Sequence, residues 1–427
     1  MAGGTRYSGW GRALWAEGRL DRPHALDRID PTSPALGNRR SYGDAPLNNG
    51  GAANDMTALD RILQFDEADG LLTVEAGATL GDLLRLYAPR GWKPAVLPGT
   101  GFATVGGAVA MDVHGKNHHT AGSFGDHLAS VTLLMQGGQR RITPKSGAIW
   151  KATLGGLGQT GIVTQATLRM APCPGTAMLV TERRAPDWEA HLDLLSARAS
   201  HVVGWIDATA TGKSLGRGIV EEGEIARGLT PPRGRPRAVP FNAPHFALNP
   251  IVVKAFNAAY YARVPSHGRT VVRALDDFYF PLDRIHDWNR LYGRRGFHQF
   301  QCVVPLAQTD ALRAMLDRIA RAGQASPLAV LKRLGPGNGN YMSFPMEGWT
   351  LAIDFPNRPQ SVPLIKGLEE MAREAGGRIY LAKDALASGE TIRAMYPDHP
   401  KWAAQAAKAD PERHYATDMV RRLELRT

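Results

Sequence analysis

Only two cysteines, Cys173 and Cys302, occur in 427 residues. They are far apart and neither lies in a CxxC pattern, which argues against a disulfide framework and against a cysteine zinc site. Two buried thiols in a reducing compartment is the reading that remains. There is no run of ~18 apolar residues, so no membrane-spanning helix is expected. The first residues, MAGGTRYSGWGRALW, lack the continuous apolar core of a secretory signal, and a cytoplasmic protein is expected. No segment repeats at a fixed period, which argues against a solenoid. Zinc-finger, RNP and basic-heptad patterns are missing too. The net charge of +11, carried largely by scattered arginines, favours acidic partners: phosphorylated ligands, an anionic membrane face or, more weakly without those patterns, nucleic acid.

What is present is a globular composition, 43% hydrophobic and 21% charged, in a chain long enough for two or three domains. LLTVEAG (Leu71–Gly77) alternates as a strand does. It leads into TLGDLLRLYAPRG, where Thr79 and Asp82 have capping-box spacing, Leu80, Leu83, Leu84 and Tyr87 form one apolar face, and Gly91 closes the helix. SVTLLMQGG and GIVTQATLRM read as strands. Beyond Cys173 the glycine clusters thin out and aromatic residues increase. Residues 217–240, rich in Arg, Gly and Pro, read as a mobile loop. Pro250 then opens a helix whose apolar face is Val252, Val253, Phe256, Ala259 and Tyr260. Helical patterns return at residues 310–322 and 362–375, and the C-terminus is strand-like from GGRIYLAKD, then helical.

Three glycine-rich stretches lie in the first 161 residues: Gly37–Asp44, Pro98–Gly115 and Gly155–Gly161. Glycine lets backbone N–H groups approach a pyrophosphate closely, because it lacks Cβ and tolerates positive φ. Singly, each stretch could equally be an ordinary turn; together they favour a nucleotide cofactor. The third contains Gly156, Gly158 and Gly161 in GxGxxG spacing. A Rossmann fingerprint must open a helix, and the alternating IVTQATLRM that follows reads as a strand, so that reading is rejected. TGKS (Thr211–Ser214) is no Walker motif, since Asp207 stands where its first glycine should be.

These stretches, with RSYGD, TVGGAVAMDVHGKNHHTAGSFGDH and TGI, closely resemble the FAD domain of the vanillyl-alcohol-oxidase-like flavoproteins. Within that group the chain is most similar to the oxidases of decaprenylphosphoryl-β-D-ribose 2′-epimerisation. The likeness runs from GWGR (Gly9–Arg12) through FYFPLDRIHDWNRLYG, QFQCVVP, LKRLGPGN, SFPMEGW and IYLAKD to ATDMVRRLEL. It implies an α+β fold: a two-lobed PCMH-type FAD-binding domain with an inserted substrate domain built on an antiparallel sheet. The expected parts are residues 1–174 for the FAD domain, 175–377 for the substrate domain, and 378–427 returning to the FAD domain. Some members of the wider group attach FAD through a histidine beside the loop serine. Arg40 stands there in this chain, so FAD is expected to be non-covalent.

By motif, the resemblance assigns FAD contacts to Gly37, Asn38, Arg39, Arg40, Ser41, Tyr42, Gly43, Gly99, Thr104, Val105, Gly106, Gly107, Met111, Asp112, Val113, His114, Ile162 and Tyr380. It assigns catalysis to Lys383 with His114, and substrate binding to Lys116, Tyr42, Tyr279, Gln299, Gln301 and Lys332. A desolvated lysine with a lowered pKa can accept a hydroxyl proton as hydride leaves for the flavin, and Lys116 and Lys332 suit a phosphate. His114, His118 and His119 could also be a metal cluster, but spacing places no carboxylate or cysteine beside them. A lysine on a strand ordinarily faces solvent, and Gln299 and Gln301, alternating with Phe300 and Cys302, could be simply the polar face of a strand. One position departs from the mycobacterial relatives: they carry a cysteine facing the flavin where WTLAIDF places Ala352.

The activity implied is oxidation of the C2 hydroxyl of a polyprenyl-phosphoryl pentose, the first half of an epimerisation that a short-chain reductase would complete, for arabinan-type cell-envelope synthesis. Three rivals stay open: an oxidase of a soluble sugar alcohol or aldonolactone, a flavin-binding scaffold without turnover, and a nucleic-acid binder. Arg227, Arg233, Arg235 and Arg237, next to Phe246, Ile251, Val252 and Phe256, suggest a peripheral contact with the inner membrane face.

Overall fold

The strands Thr5–Ser8 and Trp15–Asp21 form an antiparallel hairpin. Trp15–Asp21 then pairs in parallel with Ala52–Asp55, which pairs in parallel with Ala35–Leu36. The result is a small four-stranded sheet over Tyr7, Ala16, Leu36, Leu47 and Ala53. This computed structural model describes residues 4–232, 234, 236–244 and 246–426. Arg233 and Arg235 of the basic stretch therefore lie outside the described residues.

A second sheet is antiparallel. Its strands run in the order Ile62–Asp66, Leu71–Glu75, Ile162–Pro172, Leu128–Met135, Gly138–Ile142, with Trp92–Pro94 pairing beside Ile162–Pro172. The helix Leu80–Tyr87 forms as its sequence pattern requires. Thr79 Oγ1 accepts the Asp82 N–H at 3.2 Å, and Leu80, Leu83, Leu84 and Tyr87 are buried. Gly91, at φ 84°, ends the short turn after it.

The third sheet has eight strands, all antiparallel. They lie in the order Arg269–Ala274, Ala177–Ala185, Gly218–Ala226, His201–Ile206, Ala329–Leu334, Gly348–Pro356, Phe297–Val304, Arg378–Ile379. The helices Thr309–Ala322 and Ser361–Glu374 cover it with Leu312, Met315, Leu316 and Ile319, and with Leu364, Ile365, Leu368 and Ala372. Truncating any one of these leucines or isoleucines, or Met315, to alanine would cost about 2–5 kcal/mol.

Two local readings of the sequence differ from the structure, and a third is made more definite. Residues 218–226 are not loop but an inner strand of the large sheet. Their glutamates are matched by arginines remote in sequence, as Glu222 is by Arg183 (2.6 Å) and Glu221 by Arg273 (3.0 Å). Lys383 is not on a strand. The strand stops at Ile379, and Lys383 lies on a turn closed by its own N–H to the Tyr380 carbonyl at 2.9 Å. The helix Pro250–Ala262 does start at Pro250, with Asn249 as cap, but its buried residues are Val253 and Asn257, and Val252, Phe256 and Ala259 face solvent.

Two polar networks fix the elements around the site. Asp112, in left-handed backbone at φ 41°, accepts from Gly125 N (2.8 Å), Ser343 Oγ (2.6 Å) and Asn338 Nδ2 (2.8 Å). It thereby ties the second glycine stretch to the turn joining Ala329–Leu334 to Gly348–Pro356. Arg422 reaches both Asp44 (2.7 Å) and Asp384 (2.8 Å), so the C-terminal helix Asp418–Arg422 holds the first glycine loop against the Lys383 turn.

Candidate active site

A cavity of about 1110 Å³ runs between the glycine loops and the face of the eight-stranded sheet. Three hydrogen bonds to two segments hold the first glycine loop beside it. Tyr42 N–H donates to the Ala382 carbonyl at 2.9 Å, while Trp10 N–H and Gly11 N–H donate to Ser41 O and Tyr42 O. The loop is thus held through the Ser41 and Tyr42 carbonyls and the Tyr42 N–H. The N–H groups of Asn38, Arg39, Arg40 and Ser41 form no hydrogen bond among the described residues, and all four residues line the cavity. Such a run of free amides can hold an anion. Gly99 also lines the cavity, and a Cβ placed there would meet no atom within 4 Å. At Gly37 a Cβ would strike Thr104 Oγ1, so this position requires glycine. The Arg40 guanidinium lies between the rings of Trp10 (4.1 Å) and Phe102 (4.4 Å).

Period-two alternation places the polar residues on the other wall. On the strand Phe297–Val304, Phe300 and Cys302 enter the core while Gln299 and Gln301 line the cavity. In the neighbouring strand Ala352 stands opposite Gln301, and Asp354 opposite Gln299. Gln299 Nε2 donates to Asp354 Oδ1, and Tyr292 Oη donates to Asp354 Oδ2 at 3.0 Å. Lys332, on the strand Ala329–Leu334, also lines the cavity.

His114 sits where the two walls meet. Its ring packs against Tyr380 (5.2 Å) and Phe344 (5.5 Å), Nε2 lies 3.3 Å from Gln301 Nε2, and the buried Nδ1 has no hydrogen-bond partner. Burial, with Lys332 and Lys383 nearby, holds the imidazole well below its usual pKa and so neutral. The Lys383 ammonium lies over the Tyr42 ring, 3.6 Å from its centre. Burial drives the Lys383 pKa down, Asp354 opposes that shift, and Lys332 adds to it. Burial drives the Asp354 carboxyl up. Lys116 and Lys332 are each lowered to about 8, mainly by burial. Lys116 Nζ donates to the Phe278 carbonyl and lies over the Phe278 ring at 4.1 Å.

The cavity brings together most of the residues singled out from the sequence, namely Lys383, His114, Tyr42, Lys116, Gln299, Gln301, Lys332 and Tyr380. From the glycine loops it adds Gly37, Asn38, Arg39, Arg40, Ser41, Gly99, Thr104, Gly106, Gly107, Met111 and Val113. Gly43, Val105, Asp112 and Ile162 are not in its lining, and neither is Tyr279. The Tyr279 hydroxyl is bonded to His201 Nε2 at 2.9 Å, and its ring is buried in the core. His118 is held by Ser123 Oγ (3.2 Å) and the Gly335 N–H (3.1 Å), and His119 by the Ala199 carbonyl (2.9 Å). Sequence reasoning missed Asp354 and Tyr292. The available signal was an acid in an otherwise apolar alternating strand, WTLAIDF.

Residues 34–144 match the family described as FAD binding domain. The glycine cradle belongs to that domain, and the chain is an FAD-dependent oxidoreductase. It is 38% identical to the decaprenylphosphoryl-β-D-ribose oxidase of Mycolicibacterium smegmatis, over 98% of this chain and 97% of that one. An uncharacterized protein from the mprA 5′ region of Streptomyces coelicolor is 33% identical, over 81% of this chain and 100% of its own. The L-gulono-1,4-lactone dehydrogenase of Mycobacterium tuberculosis is 22% identical, over 91% and 89%. The chain belongs to the decaprenylphosphoryl-β-D-ribose oxidase family.

Proposed function

We propose that this protein oxidises the C2 hydroxyl of a polyprenyl-phosphoryl pentose to a ketone, using FAD held without a covalent bond. The observation that carries the reading is the convergence of Lys383, His114, Lys116 and Lys332 in the cavity that the glycine loops also line.

FAD fits the residues present. The free amides of residues 38–41 and the open Gly99 suit its pyrophosphate. Arg40, stacked between Trp10 and Phe102, cannot form the histidyl bond used by other members of the wider group. When bound, FAD supplies the acceptor for the hydride that leaves the carbinol carbon. Lys383, poorly solvated and easily neutral, takes the hydroxyl proton on Nζ. Neutral His114 and Gln301 orient the sugar hydroxyls. Lys116 and Lys332, protonated below about 8, receive the phosphate.

The arrangement of domains follows from the same reading. The two-lobed FAD domain comprises the two sheets formed before residue 174, the substrate domain (residues 175–377) holds seven of the eight strands of the large sheet with their helices, and residues 378–427, which add the eighth strand Arg378–Ile379, return to the FAD domain. The Arg422 bridge to Asp44 supports this division. A separate short-chain reductase would complete the epimerisation by reducing the ketone.

The visible spectrum, recorded anaerobically before and after addition of a short-chain prenyl-phosphoryl ribose, tests the function. Bleaching of the flavin by the lipid sugar but not by free ribose or polyols is expected. Bleaching by free sugars alone would overturn the substrate assignment.

A further inference from the structure

The helix Pro250–Ala262 is turned inside out. A surface helix of a globular protein buries its apolar stripe and exposes its polar one. Here Ile251 is 81% exposed, Phe256 51% and Val252 47%, and Ala255, Ala258 and Ala259 are exposed beside them. The buried side instead holds a polar residue, Asn257, whose Nδ2 donates to Asp207 Oδ1 at 2.7 Å. Asp207 is in turn paired with Arg217 at 2.7 Å. A polar network therefore pins the helix to the large sheet while its apolar face points outward.

Two further observations identify what covers that face. The helix carries no acidic residue and exposes Lys254, and the segment leading into it from residue 227 also has no acidic residue and exposes Arg227 and Arg237, in a chain of net charge +11. The face is also continuous with the cavity. The Phe256 ring stacks on Tyr260 (5.9 Å, 16° between planes), and Tyr260 meets Trp205 edge-on at 4.7 Å. Tyr260 and Trp205 both line the cavity, so an aromatic ladder leads from solvent to the site.

We propose that this helix is an interfacial anchor that seats the protein on an anionic lipid surface and delivers a prenyl chain along Phe256, Tyr260 and Trp205 to the cavity. The docking stands on the exposed face and its cations. The delivery step also rests on the proposed prenyl-phosphate substrate. Apolar side chains on one face of a helix flanked by cations are the requirements for lying in the headgroup layer.

The test is co-sedimentation of the full-length flavoprotein with substrate-free vesicles, either of phosphatidylcholine alone or with phosphatidylglycerol. Binding to the anionic vesicles is expected. The double variant Ile251→Asp/Val252→Asp should weaken it about tenfold or more, and Lys254→Glu roughly fivefold. Both variants should keep the flavin spectrum and the wild-type turnover of a short, water-soluble prenyl-phosphoryl sugar, while Ile251→Asp/Val252→Asp loses turnover of a long-chain substrate embedded in vesicles. No binding by the wild type, or equal binding by the double variant, overturns the proposal and leaves the face to a protein partner. Because the vesicles contain no sugar, failure of docking is distinguishable from failure of the substrate assignment.

Discussion

The Lys383 ammonium rests 3.6 Å from the centre of the Tyr42 ring, and the backbone beneath joins the same two segments through Tyr42 N–H and the Ala382 carbonyl at 2.9 Å. The proposed base is thus packed against the glycine loop proposed to cradle the cofactor. Replacing Lys383 by Met keeps the bulk and removes the proton acceptor. Flavin content should stay at the wild-type level, and flavin reduction by substrate should slow by roughly 10²–10⁴-fold. Stopped-flow absorbance measures it, and near-wild-type reduction would remove Lys383 from the chemistry.

Asp354 tunes that lysine. Its negative charge favours the ammonium form, against the burial that lowers the Lys383 pKa. If neutral Lys383 is the base, flavin reduction rises as pH rises through the pKa of the folded protein. Asp354→Asn removes the opposing charge, so that limb of the profile should move to lower pH. An unmoved limb in the variant would mean that another group sets it.

Lys116 and Lys332 lose their charge as pH rises through about 8. KM for a prenyl-phosphoryl sugar should therefore rise above that pH, with kcat less affected. Lys332→Met should raise KM by about tenfold or more, the loss of one charge-assisted hydrogen bond, and flatten the rise. A soluble polyol would show no such dependence on either lysine.

Much of this site was legible because its parts are local. Leu80, Leu83, Leu84 and Tyr87 follow helical spacing, Gln299 and Gln301 follow strand spacing, and the glycine stretches mark where the backbone lines the cavity. What was not legible depends on partners far along the chain. Glu221 and Glu222 look like loop residues until Arg273 and Arg183 lie beside them. Tyr279 looks like a pocket residue until His201, 78 positions earlier, takes its hydroxyl. Asp354 gains significance only when the sheet sets it opposite Gln299. Apolar spacing alone does not say which side of the helix Pro250–Ala262 meets the core; the pairing of Asn257 with Asp207, 50 positions earlier, decides it.

Ala352 lines the cavity opposite Gln301, where mycobacterial relatives are expected to carry a cysteine. The two thiols present are buried, and burial pushes Cys302 up to about 12, where it does not ionise at neutral pH. Thiol-directed covalent inhibitors should leave the folded protein unlabelled by intact-mass measurement. Ala352→Cys should become labelled with loss of activity. Labelling of the unaltered protein would place a reactive thiol elsewhere.

Arg422 bridges the glycine loop and the Lys383 turn through two carboxylates, Asp44 and Asp384, both nearly buried. Removing the guanidinium leaves two buried like charges facing each other without a counter-ion. That loss would approach ~3–5 kcal/mol in a closed interior, and the partial exposure of Arg422 brings it nearer to about 2 kcal/mol. Because Asp44 follows the cradle and Asp384 follows the base, the damage should appear as weaker flavin retention and slower reduction together, alongside a lower unfolding temperature. Arg422→Lys keeps the charge but not the fork that spans both carboxylates, so it should recover part of the stability and less of the flavin affinity. Fluorescence of released flavin during a thermal ramp reports both. A variant that unfolds earlier yet binds flavin as tightly as the wild type would show that the bridge secures the C-terminal helix alone.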